Sequence, residues 1–362
     1  MLLRAHNFMG GMSPSLHTTF ILQDNKFIDK EVTYTPALVK SICEIIDNSI
    51  DEAIRCNFEL GDKIQVDISS TSIKVSDNGR GIPTKNDNNG NPMFVTALTN
   101  VQAGSNFTDD ENNNKKGTNG IGASGAFILS KSATCVVMTT DTYGILETNN
   151  NTRDIKFNLK KQKNKITGTE ITIITHLERF GVGSITKDHL DVVYTYLVNQ
   201  SVCYPKIKFY FNKKVIKASS FKEFIKFYSD DSVCVYNDDI LDIAVYPSNE
   251  YKSTYFINGL NVYDGGDALD YIVNSINNGL KSFAPKKYNK LTSSNFKNRL
   301  GYIVIYKNRT DLAWSGQTKQ KCNSTYTKLQ SPKIDWLIVT KELYKNKEII
   351  NPVLELFKIQ EE

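Results

Sequence analysis

Glu44 and Asn48 stand four residues apart, so on a helix they project side by side. A carboxylate next to a neutral oxygen ligand on a rigid element suits one hydrated Mg²⁺ and one attacking water, because Mg²⁺ takes hard oxygen ligands and keeps several waters. A second candidate is Asp77, which opens Asp77-Asn78-Gly79-Arg80-Gly81-Ile82-Pro83. The two glycines and the proline end a strand sharply and let backbone approach a ligand. A carboxylate at that point is placed to accept a hydrogen bond from an exocyclic amine, as in reading a purine. The third is Gly117-Thr118-Asn119-Gly120-Ile121-Gly122, which runs into an apolar stretch of helical character. Glycines leading into a helix start present free N–H groups at the positive end of the helix dipole, a natural phosphate cradle.

These groups need a helix, a strand end and a loop to hold them. From Pro36 to Cys56, Leu38, Ile42, Ile45, Ile46, Ile50, Ala53 and Ile54 recur at spacings of three and four, one apolar stripe on a helix. Pro36 suits its first turn. Glu44, Asp47, Asn48, Asp51 and Arg55 share the other face, which reads either as a site or as a solvated acidic surface. Lys63–Ser69 and Ser72–Ser76 alternate like paired strands, with Asp77 at the second strand's end, although Asp-Asn-Gly is also a common hairpin turn. Thr84–Lys116 is polar and rich in asparagine, the length and composition of a lid. Strands follow at Thr134–Thr139, Gly144–Thr148, Ile155–Leu159 and Gly168–Ile174, a basic hairpin tip at Lys156–Lys165, a helix at Leu190–Asn199 and a closing strand at Lys206–Phe211. Gly120–Gly125 satisfies G-x-G-x-x-G, but lysine and asparagine precede it where a dinucleotide fold needs a strand. No G-x-x-x-x-G-K-[ST] occurs, which removes the P-loop class.

With 362 residues, 40% of them hydrophobic, the chain has room for two domains, each with its own core. The start shows no signal peptide and no window approaches a membrane span, so a soluble, cytoplasmic protein without membrane partners is expected. Six scattered cysteines without a C-x-x-C pair, and four histidines apart from them, argue for reduced thiols and against zinc. The net charge of +5 is mild, yet Tyr271–Thr310 holds eight basic residues and no acidic one. That run suits phosphate backbone, or is simply a lysine-rich surface.

Four elements thus stand in order: EIIDNSIDEA with Glu44 and Asn48, DNGRGIP from Asp77, GTNGIG from Gly117, and Gly168-Thr169. Their order and spacing resembles the GHKL superfamily of ATPases, named for gyrase, heat-shock chaperone, histidine kinase and mismatch-repair members. The arginine in DNGRGIP points within it to type II DNA topoisomerases. Tyr255–Asn261 followed by Asp264-Gly265-Gly266 resembles the opening of their transducer domain, and Trp314–Lys321 is similar to their Gln-Thr-Lys loop. The closest form is the ATPase-bearing large subunit of phage topoisomerases.

The resemblance implies an α+β fold of two domains: a GHKL (Bergerat) α/β sandwich over 1–228 and a smaller transducer over 229–362 with a left-handed βαβ unit of ribosomal-protein type. It implies ATP and Mg²⁺ as cofactors. Glu44 becomes the general base, Asn48 the metal ligand and Asp47 its support. Asp77 reads adenine with Thr169 beside it, while Gly79, Arg80, Gly81, Ile82 and Pro83 shape the base pocket. Gly117, Thr118, Asn119, Gly120, Ile121 and Gly122 wrap the phosphates, and Gln317 and Lys319 touch the γ-phosphate. The expected partners are double-stranded DNA, a second copy on ATP binding, and a DNA-cleavage domain or subunit, since no acidic metal cluster or candidate tyrosine region follows the transducer. Two features depart from the family: Gly265-Gly266 is followed by Asp267-Ala268 without the usual histidine, and Lys116 precedes Gly117. The alternatives are a mismatch-repair-like ATP-dependent clamp and a non-catalytic topoisomerase-binding module.

Overall fold

A computed structural model describes residues 6–100, 122–216, 220–315 and 319–361. The described residues up to Ile216 form one compact unit and those from Ser220 a second.

The first unit opens with a short helix, α1 (His6–Met9), and a two-stranded ribbon, β1 (Ser15–Gln23) and β2 (Lys26–Tyr34). The ribbon was not legible from periodicity, but its turn carries a signal. Asp24 and Asn25 both have positive φ, 50° and 61°, which is the backbone of a two-residue hairpin turn that aspartate and asparagine tolerate. Helix α2 (Pro36–Arg55) follows, with Ile42, Ile46 and Ile50 fully buried, as the apolar stripe requires. Then come β3 (Lys63–Ile68), β4 (Ser72–Asp77), α3 (Met93–Thr99), α4 (Gly122–Ile128), β5 (Ser130–Met138), β6 (Thr142–Asn149), β7 (Asp154–Lys161), β8 (Gly168–Thr175), α5 (Lys187–Cys203), β9 (Lys208–Phe211) and β10 (Lys214–Val215).

Eight of these strands make one sheet in the order β10-β9-β3-β4-β8-β5-β6-β7. Only β3 and β9 run parallel within it. Alternation places Ile64, Val66, Ile73, Val75, Cys135, Val137, Ile171 and Ile173 inward. Helices α2, α4 and α5 pack on the sheet and on one another through α2. Two expectations need correction. The polar stretch expected to be a loop from Thr84 contains α3, because Phe94, Val95 and Leu98 bury one side of two short turns. Lys156, Lys160 and Lys161 lie inside β7, paired with β6 from Glu147 to Thr142, and are not at a hairpin tip. Every residue of β7 is exposed.

The second unit holds α6 (Phe221–Ile225), β11 (Val233–Asn237), β12 (Leu241–Pro247), β13 (Lys252–Ile257), β14 (Leu260–Asn261), α7 (Asp267–Ser282), α8 (Ser293–Lys297), β15 (Leu300–Tyr306), α9 (Trp336–Tyr344) and α10 (Lys347–Glu361). Its sheet runs β11-β12-β15-β13-β14, and parallel β13 and β15 are joined through α7 in a β-α-β connection. Leu269, Ile272, Val273, Ile276 and Leu280 of α7 enter a core shared with Leu241, Ile243, Tyr302 and Val304. Of the eight basic residues in the 271–310 run, two serve this unit's interior. Lys307 donates to Asp242 at 2.8 Å and to the carbonyl of Asp238 at 2.8 Å, and Arg309 donates to the carbonyls of Lys307 and Leu329.

Candidate active site

Helix α2 begins at Thr35, the residue before Pro36, and its start is tied to α5 by a histidine. The backbone N–H of Thr35 donates to His189 Nε2 at 3.1 Å, and Thr186 Oγ1 lies 2.7 Å from His189 Nδ1. The backbone N–H of Thr186 is directed at Nδ1 as well, at 3.3 Å, so both ring nitrogens face backbone donors, an arrangement that disfavours the doubly protonated ring. His189 is buried, and burial lowers its pKa below the ordinary 6.5 although Asp188 pulls the other way. The unfolded chain therefore takes up a proton as pH falls through 6.5 while the folded chain resists it, so this contribution to stability is present above 6.5 and lost on acidification toward the folded value. The melting temperature of the protein should fall more steeply between neutral pH and pH ~5 than that of His189→Gln; equal slopes would count against the assignment.

One turn at a time, α2 then presents its polar face. Lys40 and Glu44 form an ion pair. Burial works to lower the pKa of Lys40, yet Glu44, with Asp47 behind it, lifts it above the ordinary lysine value. The carboxylate of Glu44 rests against Gly122 at the first turn of α4, where a Cβ would collide with Oε2. Gly122 is thus needed for close approach. Asn48 is exposed beside Glu44, while Asp47 accepts a hydrogen bond from the hydroxyl of Tyr196 on α5. Burial, then the charge of Asp47, pushes that tyrosine well above its ordinary pKa. The polar face is not the evenly solvated surface that the sequence allowed. Asp51 is fully buried, because α5 packs on α2 there and brings Tyr204 into the field of Asp51.

Strand β4 delivers Asp77 to the same helix. Its Oδ1 accepts the backbone N–H of Gly79 at 2.9 Å and of Thr169 at 3.3 Å, and its Oδ2 accepts the hydroxyl of Ser49 at 2.8 Å. Thr169 is opposite Asp77 in the β4–β8 ladder, which explains why a Gly-Thr pair at the start of β8 matters. Burial pushes the Asp77 carboxyl above the ordinary aspartate value, and the donors at Gly79, Ser49 and Thr169 pull against it. Gly168 has φ 152° and faces the carbonyl of Asp77 so closely that a side chain has no room. The guanidinium of Arg80 forks onto Glu52 of α2, with Nε 2.7 Å from Oε1 and Nη2 3.1 Å from Oε2. Arg55 donates to Glu52 as well. Burial would raise the Glu52 pKa, but Arg80 outweighs it and holds the carboxyl below the ordinary value. Thr167 Oγ1 donates to the carbonyl of Gly79 at 2.6 Å, fixing the turn before Gly81, Ile82 and Pro83.

Glu44, Asp47, Asn48, Asp77, Gly79, Arg80, Gly81, Thr169 and Gly122 are thus gathered at the α2–β4–β8–α4 junction, and Ile82 and Pro83 follow directly in the turn. Gly117, Thr118, Asn119, Gly120, Ile121 and Gln317 lie outside the described residues. Lys319 belongs to the second unit, with φ 55° in a loop whose base is closed by Ser315 N–H to the Lys321 carbonyl at 3.0 Å and by Asp264 N–H to the Gln320 carbonyl at 2.9 Å. The sequence reading missed Lys40, Ser49, Glu52, Tyr196 and His189. The i, i+4 spacing of Lys40 to Glu44 signalled the first; the others depend on long-range packing.

Among the described residues no cluster of three or more His, Cys, Asp or Glu is placed to hold a metal, and no helix is long and apolar enough to cross a membrane. No disulfide links any of the six cysteines.

Residues 35–178 match the family of histidine kinase-, DNA gyrase B- and HSP90-like ATPases. The DNA topoisomerase large subunit of Enterobacteria phage T4 is 29% identical over 97% of this chain and 68% of its own length. A putative mitochondrial DNA topoisomerase 2 of Caenorhabditis elegans is 25% identical over 81% of this chain, which spans only 27% of that protein. Two solved structures share the fold: the ATPase region of Saccharomyces cerevisiae topoisomerase II bound to ICRF-187 (TM-score 0.85, 21% identity, 98% of this chain and 96% of that one), and the ATPase and transducer domains of Balamuthia mandrillaris topoisomerase II (TM-score 0.86, 20% identity, 99% and 96%). Residues 35–178 carry a domain of the histidine kinase-, DNA gyrase B- and HSP90-like ATPase family, and the chain as a whole has the fold of the ATPase and transducer regions of type II DNA topoisomerases.

Proposed function

We propose that this chain is the ATP-binding and ATP-hydrolysing gate of a type II DNA topoisomerase, which dimerises on ATP to capture a DNA segment during strand passage. The observation that carries the reading is the convergence of Glu44 and Asn48 on α2 with Asp77 on β4, linked through Ser49. Asp77 selects adenine, residues 117–122 wrap the phosphates, and Glu44 takes the proton of the attacking water. The oxygen donors at Asn48 and Glu44 suit Mg²⁺, with Asn48 as the protein ligand; the ion, when bound, supplies charge neutralisation of the phosphates. In this scheme the first unit, whose described residues run up to Ile216, is the ATPase domain and the second, from Ser220, the transducer.

Lys319 and Gln317 sense the γ-phosphate. Only ATP presents that group, so only ATP rewards closure of the transducer onto the ATPase domain. With a non-hydrolysable ATP analogue, the protein should sediment as a dimer, and Lys319→Ala should weaken this nucleotide-dependent association by about 10-fold or more, the effect of one charge-assisted contact. Unaltered dimerisation of the variant rejects the sensor role.

Double-stranded DNA is the proposed substrate, cleaved by a domain or subunit distinct from these two domains, and the proposed place of action is the cytoplasm. With Lys307 and Arg309 committed to the interior, the exposed Lys281, Lys286, Lys287 and Lys290 are the proposed DNA contacts. Reversing these four charges should lower the salt dependence of DNA-stimulated ATP hydrolysis, by roughly one unit of slope for each phosphate that is no longer neutralised. An unmoved slope excludes them.

A further inference from the structure

Two serines on α2 behave differently. Ser41 donates to the carbonyl of Ala37, four residues back, at 2.7 Å, the usual resort of a serine inside a helix. Ser49 has the same option but turns away from its own helix and donates to Asp77 Oδ2 at 2.8 Å, across 28 residues of chain. It is 6% exposed, so its hydroxyl does not exchange this partner for bulk water. Oδ1 already holds two backbone donors, at Gly79 and Thr169. Of the four lone-pair sites of the carboxylate, the one on Oδ2 that Ser49 leaves has no donor among the described residues.

From this geometry we infer that Ser49 is the positioning residue for purine selection: its hydroxyl locks Asp77 as an acceptor whose remaining lone pair meets the 6-amino group of adenine and repels the 6-keto oxygen of guanine. The inference rests on the reading of Asp77 as the base-recognising carboxylate. Three donors in three directions leave the carboxyl group no rotation. Without Ser49 the group keeps only its two bonds on Oδ1 and can turn about them. Burial also pushes Asp77 toward its neutral form, which carries a hydrogen to donate, and Ser49 is one of the groups that oppose this.

The test compares ATP, GTP and purine riboside triphosphate, which lacks the 6-amino group, on the unaltered chain and on Ser49→Ala, with dissociation constants read by calorimetry. The expected result is that Ser49→Ala weakens ATP by about 10-fold, the loss typical of one hydrogen bond to a charged group, while purine riboside triphosphate changes little and the preference for ATP over GTP narrows. If the variant weakens ATP and the purine nucleotide equally, Ser49 only supports the fold of the site and the inference is overturned; if neither moves, it is overturned as well. If the unaltered chain fails to prefer ATP over the purine nucleotide, the assignment of Asp77 to the base falls, and the inference falls with it for a reason that the first two results would not show.

Discussion

Glu44→Ala is expected to keep nucleotide binding and lose hydrolysis, by about 10²–10⁴-fold in kcat, the usual effect of removing a general base. The proposed base-recognising carboxylate is held apart from Glu44: Asp77 accepts from Ser49, Gly79 and Thr169. Glu44 sits instead between Lys40 and the backbone of Gly122, on the helix turn that also exposes Asn48. Truncation removes the proposed proton acceptor and deprives Lys40 of the partner that lifts its pKa, without emptying a core position. Phosphate release together with calorimetric titration of ATP separates the two effects. Undiminished turnover would sink the catalytic assignment, and lost binding with intact turnover per bound nucleotide would move Glu44 to a binding role.

Asp77→Asn should do the reverse, weakening ATP by about 10²-fold because a donor replaces an acceptor opposite an amine and opposite Ser49. If the amide oxygen keeps the two backbone N–H groups of Gly79 and Thr169, the amide nitrogen can be accepted by a rotated Ser49 hydroxyl but meets the 6-amino group as donor against donor. If it turns over, two backbone donors lose their acceptor. Neither orientation satisfies the site, so the loss does not depend on which one forms. An equilibrium titration with ATP checks it; an affinity equal to that of the unaltered chain would mean that the base lies elsewhere.

How much of this was legible in the sequence depends on range. Helix α2 announced itself because an apolar stripe and a starting proline are local facts, and Asp77 did because glycine and proline after an alternating run mark a strand end. The ribbon β1–β2 was passed over, although two consecutive residues suited to positive φ were present, because its strands mix exposed, half-buried and buried positions without clean alternation. The burial of Asp51 was not legible, because helical periodicity says which residues share a face and not what covers it; α5, more than a hundred residues on, decides that. Lys307 and Arg309 illustrate the same limit in the second unit. In the chain they belong to a basic run, and in the fold they satisfy an aspartate and backbone carbonyls.

The outermost position of β7 has a consequence for handling the isolated domain. A terminal strand whose eight residues are all exposed offers a row of backbone groups to any other strand, and Ile155, Phe157 and Leu159 add an adhesive stripe. Lys161 ends that stripe, and Lys156 and Lys160 stand on the opposite face, so a strand added at this edge would bring like charges together. Neutralising these three ammonium groups is therefore expected to raise edge-to-edge association at high protein concentration, which light scattering would read.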